Sequence, residues 1–162
     1  MKQPISIALI GCFSPLGKIM LNQLRLIGIR PLLIGCNDEE LAKLSDYVKE
    51  DEVEFNTCPR DACWEADMVI VALHETHWHK IVEMVRDVVI QKPIICLKFD
   101  NQNGAESLKL ALPYSKLVVA DFSLENMEMT EISIMGEVDD VVTDTVEWLE
   151  GIGLKKNSFI IR

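Results

Sequence analysis

The sequence has no apolar run long enough to cross a membrane. Its longest uninterrupted runs, such as Met68–Leu73, have the length of one strand, whereas a membrane-spanning helix needs roughly 18 apolar residues. A secretory signal is not expected either, because the short stretch Ile5–Ile10 leads into a glycine turn and not into a small-residue cleavage site. We therefore expect a cytoplasmic protein that has no membrane partner.

Basic residues are few. The 162-residue chain has 16 lysines and arginines against 26 acidic residues, a formal net charge of −10. Nucleic acids and anionic membrane surfaces require a basic protein face, so this balance argues against both as partners. It also implies that local backbone donors would hold any bound phosphate, because the overall field of the protein does not attract anions.

Paired cysteines are absent as well. The five cysteines lie at positions 12, 36, 58, 63 and 96, an odd number without the spacing of a disulfide framework or a zinc site. We expect reduced thiols in a reducing compartment. The segment His74–His79 does not match His-Glu-x-x-His, since its second histidine follows three residues after the first. We expect no metal.

The sequence does contain an alternation of short apolar runs and amphipathic segments. Strands are predicted at Ile5–Ile10, Pro31–Ile34, Val53–Phe55, Asp67–Leu73, Pro93–Leu97, Leu117–Asp121, Glu131–Met135 and Leu154–Ile161. Helices are predicted at Pro15–Ile27, Asp38–Glu50, Pro59–Trp64, from the N-cap Thr76 to Val89, at Asn103–Leu112 and at Asp139–Leu149. Strands that alternate with helices imply a parallel sheet with right-handed crossovers. We expect one α/β domain over residues 1–162, with a doubly wound, mostly parallel sheet of about seven or eight strands and helices on both faces.

The most informative segment is the turn after the first predicted strand, Gly11-Cys12-Phe13-Ser14-Pro15-Leu16-Gly17. It leaves a buried strand and enters a helix, which is the context of a dinucleotide-binding fingerprint. Gly11 permits a tight turn, and Gly17 permits close packing of the helix on the sheet. Pro15 suits the first helical turn, whose amides and positive dipole end would face a pyrophosphate. The pattern departs at Ser14, where the fingerprint has its second glycine. The serine side chain narrows the approach of a phosphate, although its hydroxyl can donate to a phosphate oxygen.

From its first strand to its end, the chain resembles the NADP-binding Rossmann domain of coenzyme F420-dependent NADP reductases and the amino-terminal domain of 6-phosphogluconate dehydrogenase-like enzymes. The resemblance rests on the glycine turn, on Ile34–Asp38 and on Ala66–Leu73. It implies an oxidoreductase in which NADP transfers hydride and the protein orients it. It also implies a set of cofactor-binding residues, which are Gly11, Cys12, Phe13, Ser14, Pro15, Leu16 and Gly17 at the pyrophosphate, Cys36 and Asn37 at the ribose, and Leu73 and His74 beside the nicotinamide.

The end of the second predicted strand leaves the choice of dinucleotide open. Members of this family usually have Gly-Ser-Arg there, and the arginine holds the 2′-phosphate of NADP; this sequence has Gly35-Cys36-Asn37. A 2′-phosphate favours a charge-assisted partner, whereas NAD-binding sites usually have an acidic acceptor for the ribose hydroxyl. Asn37 can hydrogen-bond to either group. The resemblance favours NADP, and NAD stays open.

The candidate catalytic residue is His74, because an imidazole can exchange a proton near neutral pH; the alternative is a loop histidine that hydrogen-bonds locally. The coenzyme F420-dependent relatives have further helices after the last strand, which help to form the substrate site and the dimer. A homodimer and an unknown small-molecule substrate therefore stay open here.

The alternative function is a non-catalytic Rossmann module that senses a nucleotide or serves as a protein-interaction subunit. Ser14 and the missing arginine favour this alternative, whereas Gly11 and Gly17 favour the enzyme. Another adenosine-containing ligand, such as S-adenosylmethionine, is not excluded by the glycine turn.

Overall fold

The computed structural model describes residues 6–34, 39, 42–43, 46, 48–72, 75–99, 105–125, 128–154 and 159–161. The strands within these ranges are β1 (Ile7–Ile10), β2 (Leu32–Ile34), β3 (Glu54–Asn56), β4 (Met68–Val71), β5 (Pro93–Phe99), β6 (Lys116–Glu125), β7 (Glu128–Gly136) and β8 (Phe159–Ile161). The helices within them are α1 (Pro15–Leu26), α2 (Pro59–Glu65), α3 (Glu75–Val85), α4 (Ala105–Ala111) and α5 (Asp139–Gly151).

The strands form one eight-stranded sheet in the order β3-β2-β1-β4-β5-β6-β7-β8. Strands β2 and β3 lie in succession on one side of β1, and β4 lies on the other side of β1. Ala8 accordingly pairs with Leu32 of β2 and with Val69 of β4, both in parallel. The strand order thus reverses between β1 and β4, which confirms the predicted doubly wound Rossmann architecture.

Both faces of the sheet are covered by helices. Ile7 and Leu9 pack into one core with side chains of α1 and α5, whereas Ala8 and Ile10 pack into a second core with side chains of α2, α3 and α4. A strand that is buried on both faces reads as a continuous apolar run. This is the reason why β1 and β4 carry no alternating polar residues.

The end of the sheet differs from the prediction. The strands predicted at Leu117–Asp121 and Glu131–Met135 are the inner parts of β6 and β7, which form an antiparallel hairpin with a register shift between Ser123 and Leu124. Only two residues separate β6 from β7, and such a short connection permits an antiparallel pair but not a helical crossover. The other strand pairs are parallel within the described sheet.

Two boundaries also differ. Helix α3 begins at Glu75, so Thr76 lies inside the helix and is not its N-cap. Leu154, the predicted start of the last strand, is not in a strand and belongs to the core beside α5. Residues 155–158 of that prediction lie outside the described residues, and β8 spans Phe159–Ile161. Six of the thirteen residues of the helix predicted at 38–50 lie outside the described residues; of the other seven, residues 39, 42 and 43 are helical, and residues 46 and 48–50 are not.

A lysine side chain caps the carboxyl end of α2 by hydrogen bonds to carbonyl oxygens. Lys92, just before β5, donates from Nζ to the carbonyl oxygens of Cys63 (2.7 Å), Trp64 (2.6 Å) and Ala66 (2.7 Å). Burial lowers the pKa of Lys92 from its ordinary value. A cation at this position satisfies carbonyls that have no partner within the helix.

We predict that Lys92→Met lowers the free energy of unfolding by about 1–3 kcal/mol, because the carbonyl oxygens lose their donor while the aliphatic stem is kept. Urea denaturation measures the effect. The control is Lys18→Met, at an exposed position of α1, where we expect a change within about 0.5 kcal/mol. Equal midpoints for the two variants would contradict the role assigned to Lys92.

Candidate dinucleotide-binding site

The chain leaves β1 through a turn that requires glycine. Gly11 has a φ of 86°, in the left-handed region that side chains disfavour. The preceding carbonyl, that of Ile10, accepts from the amide of Ala72 at 2.8 Å, so the chain also leaves β4 beside this turn. The turn therefore lies at the point where the strand order reverses, which is where doubly wound sheets bind their ligands.

Ser14 links the turn to the first helix. It is the N-cap of α1, and its Oγ accepts from the amide of Gly17 at 3.0 Å. The same hydroxyl donates to the carbonyl oxygen of Gly11 at 2.9 Å, and the Ser14 amide donates to that oxygen at 3.0 Å. The one proton of the hydroxyl is directed at the Gly11 carbonyl here, so donation to a phosphate requires the hydroxyl to turn away from Gly11. Its observed role is to cap the helix.

Few amides remain for an anion at the start of α1. Pro15 has no N–H, Ser14 Oγ takes up the amide of Gly17, and the Lys18 amide donates to the carbonyl of Ser14. The amides of Phe13 and Leu16 have no backbone acceptor within the described part of the chain. These two donors lie at the positive end of a 12-residue helix, a setting that favours phosphate binding.

The side chains of the turn anchor it to the sheet. Cys12 and Leu16 are buried in the core shared by α1 and α5, and Phe13 packs against the same core. Pro15 is exposed. The turn is thus held by apolar side chains, which leaves its backbone to interact with a ligand.

Gly17 lies unusually close to the turn. A Cβ at this position would be 2.0 Å from the carbonyl oxygen of Gly11 and 2.9 Å from Ser14 Oγ. The sequence predicted a close approach of helix to sheet at Gly17, and the structure shows that the closest atoms belong to the turn itself.

We predict that Gly17→Ala lowers the free energy of unfolding by about 1–3 kcal/mol or more, because the methyl group displaces the Gly11 carbonyl and breaks the Ser14 cap. The matched control is Gly151→Ala at the end of α5, where a Cβ would meet nothing within 4 Å. The control should be neutral or raise stability by up to about 1 kcal/mol. Thermal or urea unfolding measures both, and equal stability of the two variants would refute the close approach.

Four of the predicted site residues lie outside the described residues: Cys36, Asn37, Leu73 and His74. Their roles at the ribose and the nicotinamide stay predictions. The structure does describe their surroundings in part, since Ile34 ends β2 and Val71 ends β4. Both strands end at the same edge as Gly11, because β1 is parallel to each of them.

One ion pair at this edge was not predicted from the sequence. Lys98 Nζ lies 2.8 Å from Asp121 Oδ2, and the two side chains are only 17% and 18% exposed. The residues are register partners in β5 and β6. The sequence contained one signal for this pair. Lys98 directly follows the apolar run Ile94–Leu97, and Asp121 directly follows the apolar run Leu117–Ala120.

The buried thiols of Cys63 and Cys96 are expected to be unreactive. Among the described residues the cysteines at 12, 58, 63 and 96 form no disulfide bond. Burial raises the pKa of Cys63 to about 12 and that of Cys96 to about 11. Thiols with such pKa values stay protonated near neutral pH and are poor nucleophiles.

The order of the strands, the left-handed glycine and the helix that starts behind it together define a Rossmann-type fold. No protein-family model matches the chain, and no curated protein matches it either. Within the described residues, no helix has the length and apolar character that crossing a membrane requires.

Solved structures do match. A pyrroline-5-carboxylate reductase from Coxiella burnetii is similar with a TM-score of 0.73 and 14% identity, over 97% of this chain and 58% of that one. The V8 variant of an imine reductase from Myxococcus stipitatus, in complex with NAD+, has a TM-score of 0.70 and 12% identity, over 99% and 55% of the two chains. The imine reductase from the same organism, in complex with NADP+, has a TM-score of 0.69 and 10% identity, over 97% and 54%.

These similarities show that the chain has the fold of the reductases named above, two of which are in complex with NAD+ or NADP+. The chain spans little more than half the length of those proteins. The similarities to solved structures do not confirm that the chain belongs to the coenzyme F420-dependent family, which its sequence resembles.

Proposed function

We propose that this chain binds a nicotinamide dinucleotide at the Gly11 turn and acts as an oxidoreductase, or as the cofactor-binding part of one, that transfers hydride between the dinucleotide and a small molecule. The observation that carries this proposal is the pair of amides, of Phe13 and Leu16, at the start of α1 beside a left-handed Gly11. A chain with a net charge of −10 needs such local donors to hold a diphosphate.

In this proposal the segment Gly11–Gly17 surrounds the pyrophosphate through its backbone. Cys36 and Asn37 lie at the ribose, and Leu73 and His74 beside the nicotinamide, with His74 as the candidate proton donor or acceptor. The nicotinamide supplies the hydride when bound, and the protein orients it and shapes the site.

The choice between NADP and NAD belongs to the proposal as well. The family resemblance favours NADP, but the chain has Asn37 where that family has the arginine that binds the 2′-phosphate. The similar imine reductase structures hold either NAD+ or NADP+. We propose NADP as the preferred cofactor and NAD as a second one.

The cellular setting is proposed on composition. The described cysteines form no disulfide bond, and the chain is strongly acidic. Both features favour a cytoplasmic protein that binds neither nucleic acid nor membrane. A homodimer that helps to close the substrate site is part of the same proposal.

We predict that NADPH or NADH binds the protein saturably, with release or uptake of heat in a calorimetric titration and with a raised melting temperature. NADPH should bind more tightly if the resemblance holds at the ribose. The absence of both heat and thermal stabilisation for the two dinucleotides at millimolar concentration would refute the proposal.

Replacing Ser14 with glycine tests which groups hold the pyrophosphate. Glycine is nearly as good an N-cap as serine, and it frees the amide of Gly17 as a third donor. We expect Ser14→Gly to tighten dinucleotide binding by roughly threefold to tenfold, in line with about 1 kcal/mol for one added hydrogen bond.

The control for Ser14→Gly is Ser115→Gly. This change removes another hydroxyl that bonds to a backbone carbonyl, that of Leu112 at 2.8 Å, and it should leave dinucleotide affinity unchanged. Weaker binding by Ser14→Gly alone would show that the serine side chain itself contacts the ligand.

A non-catalytic nucleotide sensor or protein-interaction subunit is the second candidate. The observation in its favour is that Ser14 and Pro15 leave fewer helix amides for a phosphate. It predicts dinucleotide binding that is weak or absent in the natural chain and is restored by Ser14→Gly.

A further inference from the structure

Five large apolar side chains are exposed at the edge of the sheet opposite the Gly11 turn. Because β4, β5 and β6 are parallel, the connections that lead into these strands all lie at the amino edge of the sheet. The exposed side chains lie in these connections or at the helix ends before them. We call the five the amino-edge patch, and their exposed fractions lie between 48% and 83%: Trp64, Met84, Ile90, Leu110 and Tyr114.

Backbone contacts place three members of the amino-edge patch side by side. Strand β5 lies between β4 and β6, so Ile90, just before β5, lies between Trp64 and Tyr114. The amide of Gln91 donates to the carbonyl oxygen of Tyr114 at 2.8 Å. Lys92 Nζ donates to the carbonyl oxygen of Trp64 at 2.6 Å and lies 6.0 Å from the centre of its ring. The three apolar side chains therefore form one continuous row.

The middle of this row has a strained backbone. Gln91 has a φ of 61°, in the left-handed region that residues other than glycine rarely adopt. Its hydrogen bond to Tyr114 holds the turn in this conformation, and Ile90 stays half exposed although Val88 and Val89 beside it are buried. Strain of this kind persists where the surrounding structure fixes it. The apolar side chain of Ile90 is thus presented by a turn that is already ordered.

The amino-edge patch belongs to the least charged part of the chain. Residues 59–116, which include α2, α3 and α4, have seven basic and eight acidic side chains, whereas the rest of the chain has nine basic and eighteen acidic ones. Charges more than about 8 Å apart are largely screened at physiological ionic strength, so the local balance decides whether two surfaces repel each other. Two copies of the chain that meet through this part experience little repulsion, whereas most other contacts bring two acidic surfaces together.

The apolar area is large enough for an interface. Trp64 and Tyr114, each about two thirds exposed, contribute roughly 250 Å² of side chain together. A standard interface buries roughly 800 Å² on each partner, of which somewhat more than half is apolar. The other three side chains supply much of the remaining apolar share. Exposed tryptophan and tyrosine side chains are also the residues that most often dominate binding energy at an interface.

We propose that the amino-edge patch is the contact surface for a second copy of this chain, in a two-fold symmetric dimer in which patch meets patch. A two-fold interface uses the same surface of both copies, and an apolar surface without net charge can pair with itself. The Gly11 turn of each copy lies at the opposite edge of the sheet and stays open in this dimer. The inference does not rest on the proposed function, and this contact is separate from one that would close a substrate site.

The first test is sedimentation velocity of the full chain in a reducing buffer, from micromolar to near-millimolar concentration. We expect a concentration-dependent equilibrium between monomer and dimer. Added salt should leave the dimer unchanged or strengthen it, because screening reduces the remaining repulsion between two acidic chains. A monomer at every concentration, or a dimer that salt dissociates, overturns the proposal.

Matched leucine variants locate the contact. Leu110 near the end of α4 is 83% exposed, and Leu26 at the end of α1, on the other face of the sheet, is 71% exposed. We expect Leu110→Ser to weaken the dimer at least tenfold and Leu26→Ser to leave it unchanged. Substitutions at exposed positions rarely prevent folding, and circular dichroism of each variant verifies this.

A second variant keeps the test decisive. Tyr114→Ser removes the exposed ring and keeps the backbone carbonyl that accepts from Gln91, and together with Leu110→Ser it should leave a monomer at every concentration. A dimer retained by this double variant overturns the proposal.

Dinucleotide binding separates this inference from the proposed function. The double variant should bind NADPH with the affinity of the natural chain, because the amino-edge patch and the Gly11 turn lie at opposite edges of the sheet. Weaker NADPH binding by the folded double variant overturns the separation of the two surfaces, and with it the proposal. If the natural chain dimerises through the patch and binds neither dinucleotide, the oxidoreductase is refuted and the dimer stands.

Discussion

The carbonyl oxygen of Gly11 is the atom on which the site depends. It accepts hydrogen bonds from both the amide and the hydroxyl of Ser14. It also lies so close to Gly17 that a side chain at position 17 would collide with it. These interactions hold the start of α1 against the end of β1, so that the positive end of the helix dipole is directed at the edge of the sheet. Without this close approach the helix amides would not face the crevice between β1 and β4.

The same arrangement limits how strongly the site can bind an anion. The serine that stabilises the helix takes up the amide of Gly17, and the proline that favours the first helical turn supplies no amide. Helix stability and anion binding therefore compete for the same few donors. This competition explains why one chain can have the Rossmann architecture and still differ from a typical dinucleotide fingerprint at its centre.

A second constraint acts on the other half of the sheet. The residues of β5 and β6 that point toward α3 and α4 are apolar until Lys98 and Asp121, where an ion pair replaces them near the carboxyl edge. Burial of such a pair contributes little net stability compared with apolar packing. The pair lies near the carboxyl end of β5, where the apolar run of that strand ends.

Much of the architecture was accessible from the sequence, because it depends on local signals. The alternation of apolar runs with amphipathic segments predicts the doubly wound sheet, and Gly11 and Gly17 mark the turn before α1, since only glycine tolerates a left-handed φ or so close an approach. The direction of the Ser14 hydroxyl, the β6–β7 hairpin and the pairing of Lys98 with Asp121 were decided by the tertiary structure. Each of these depends on which residues become neighbours across strands and turns, and strand register is set by packing on both faces of the sheet and not by the residues of one strand.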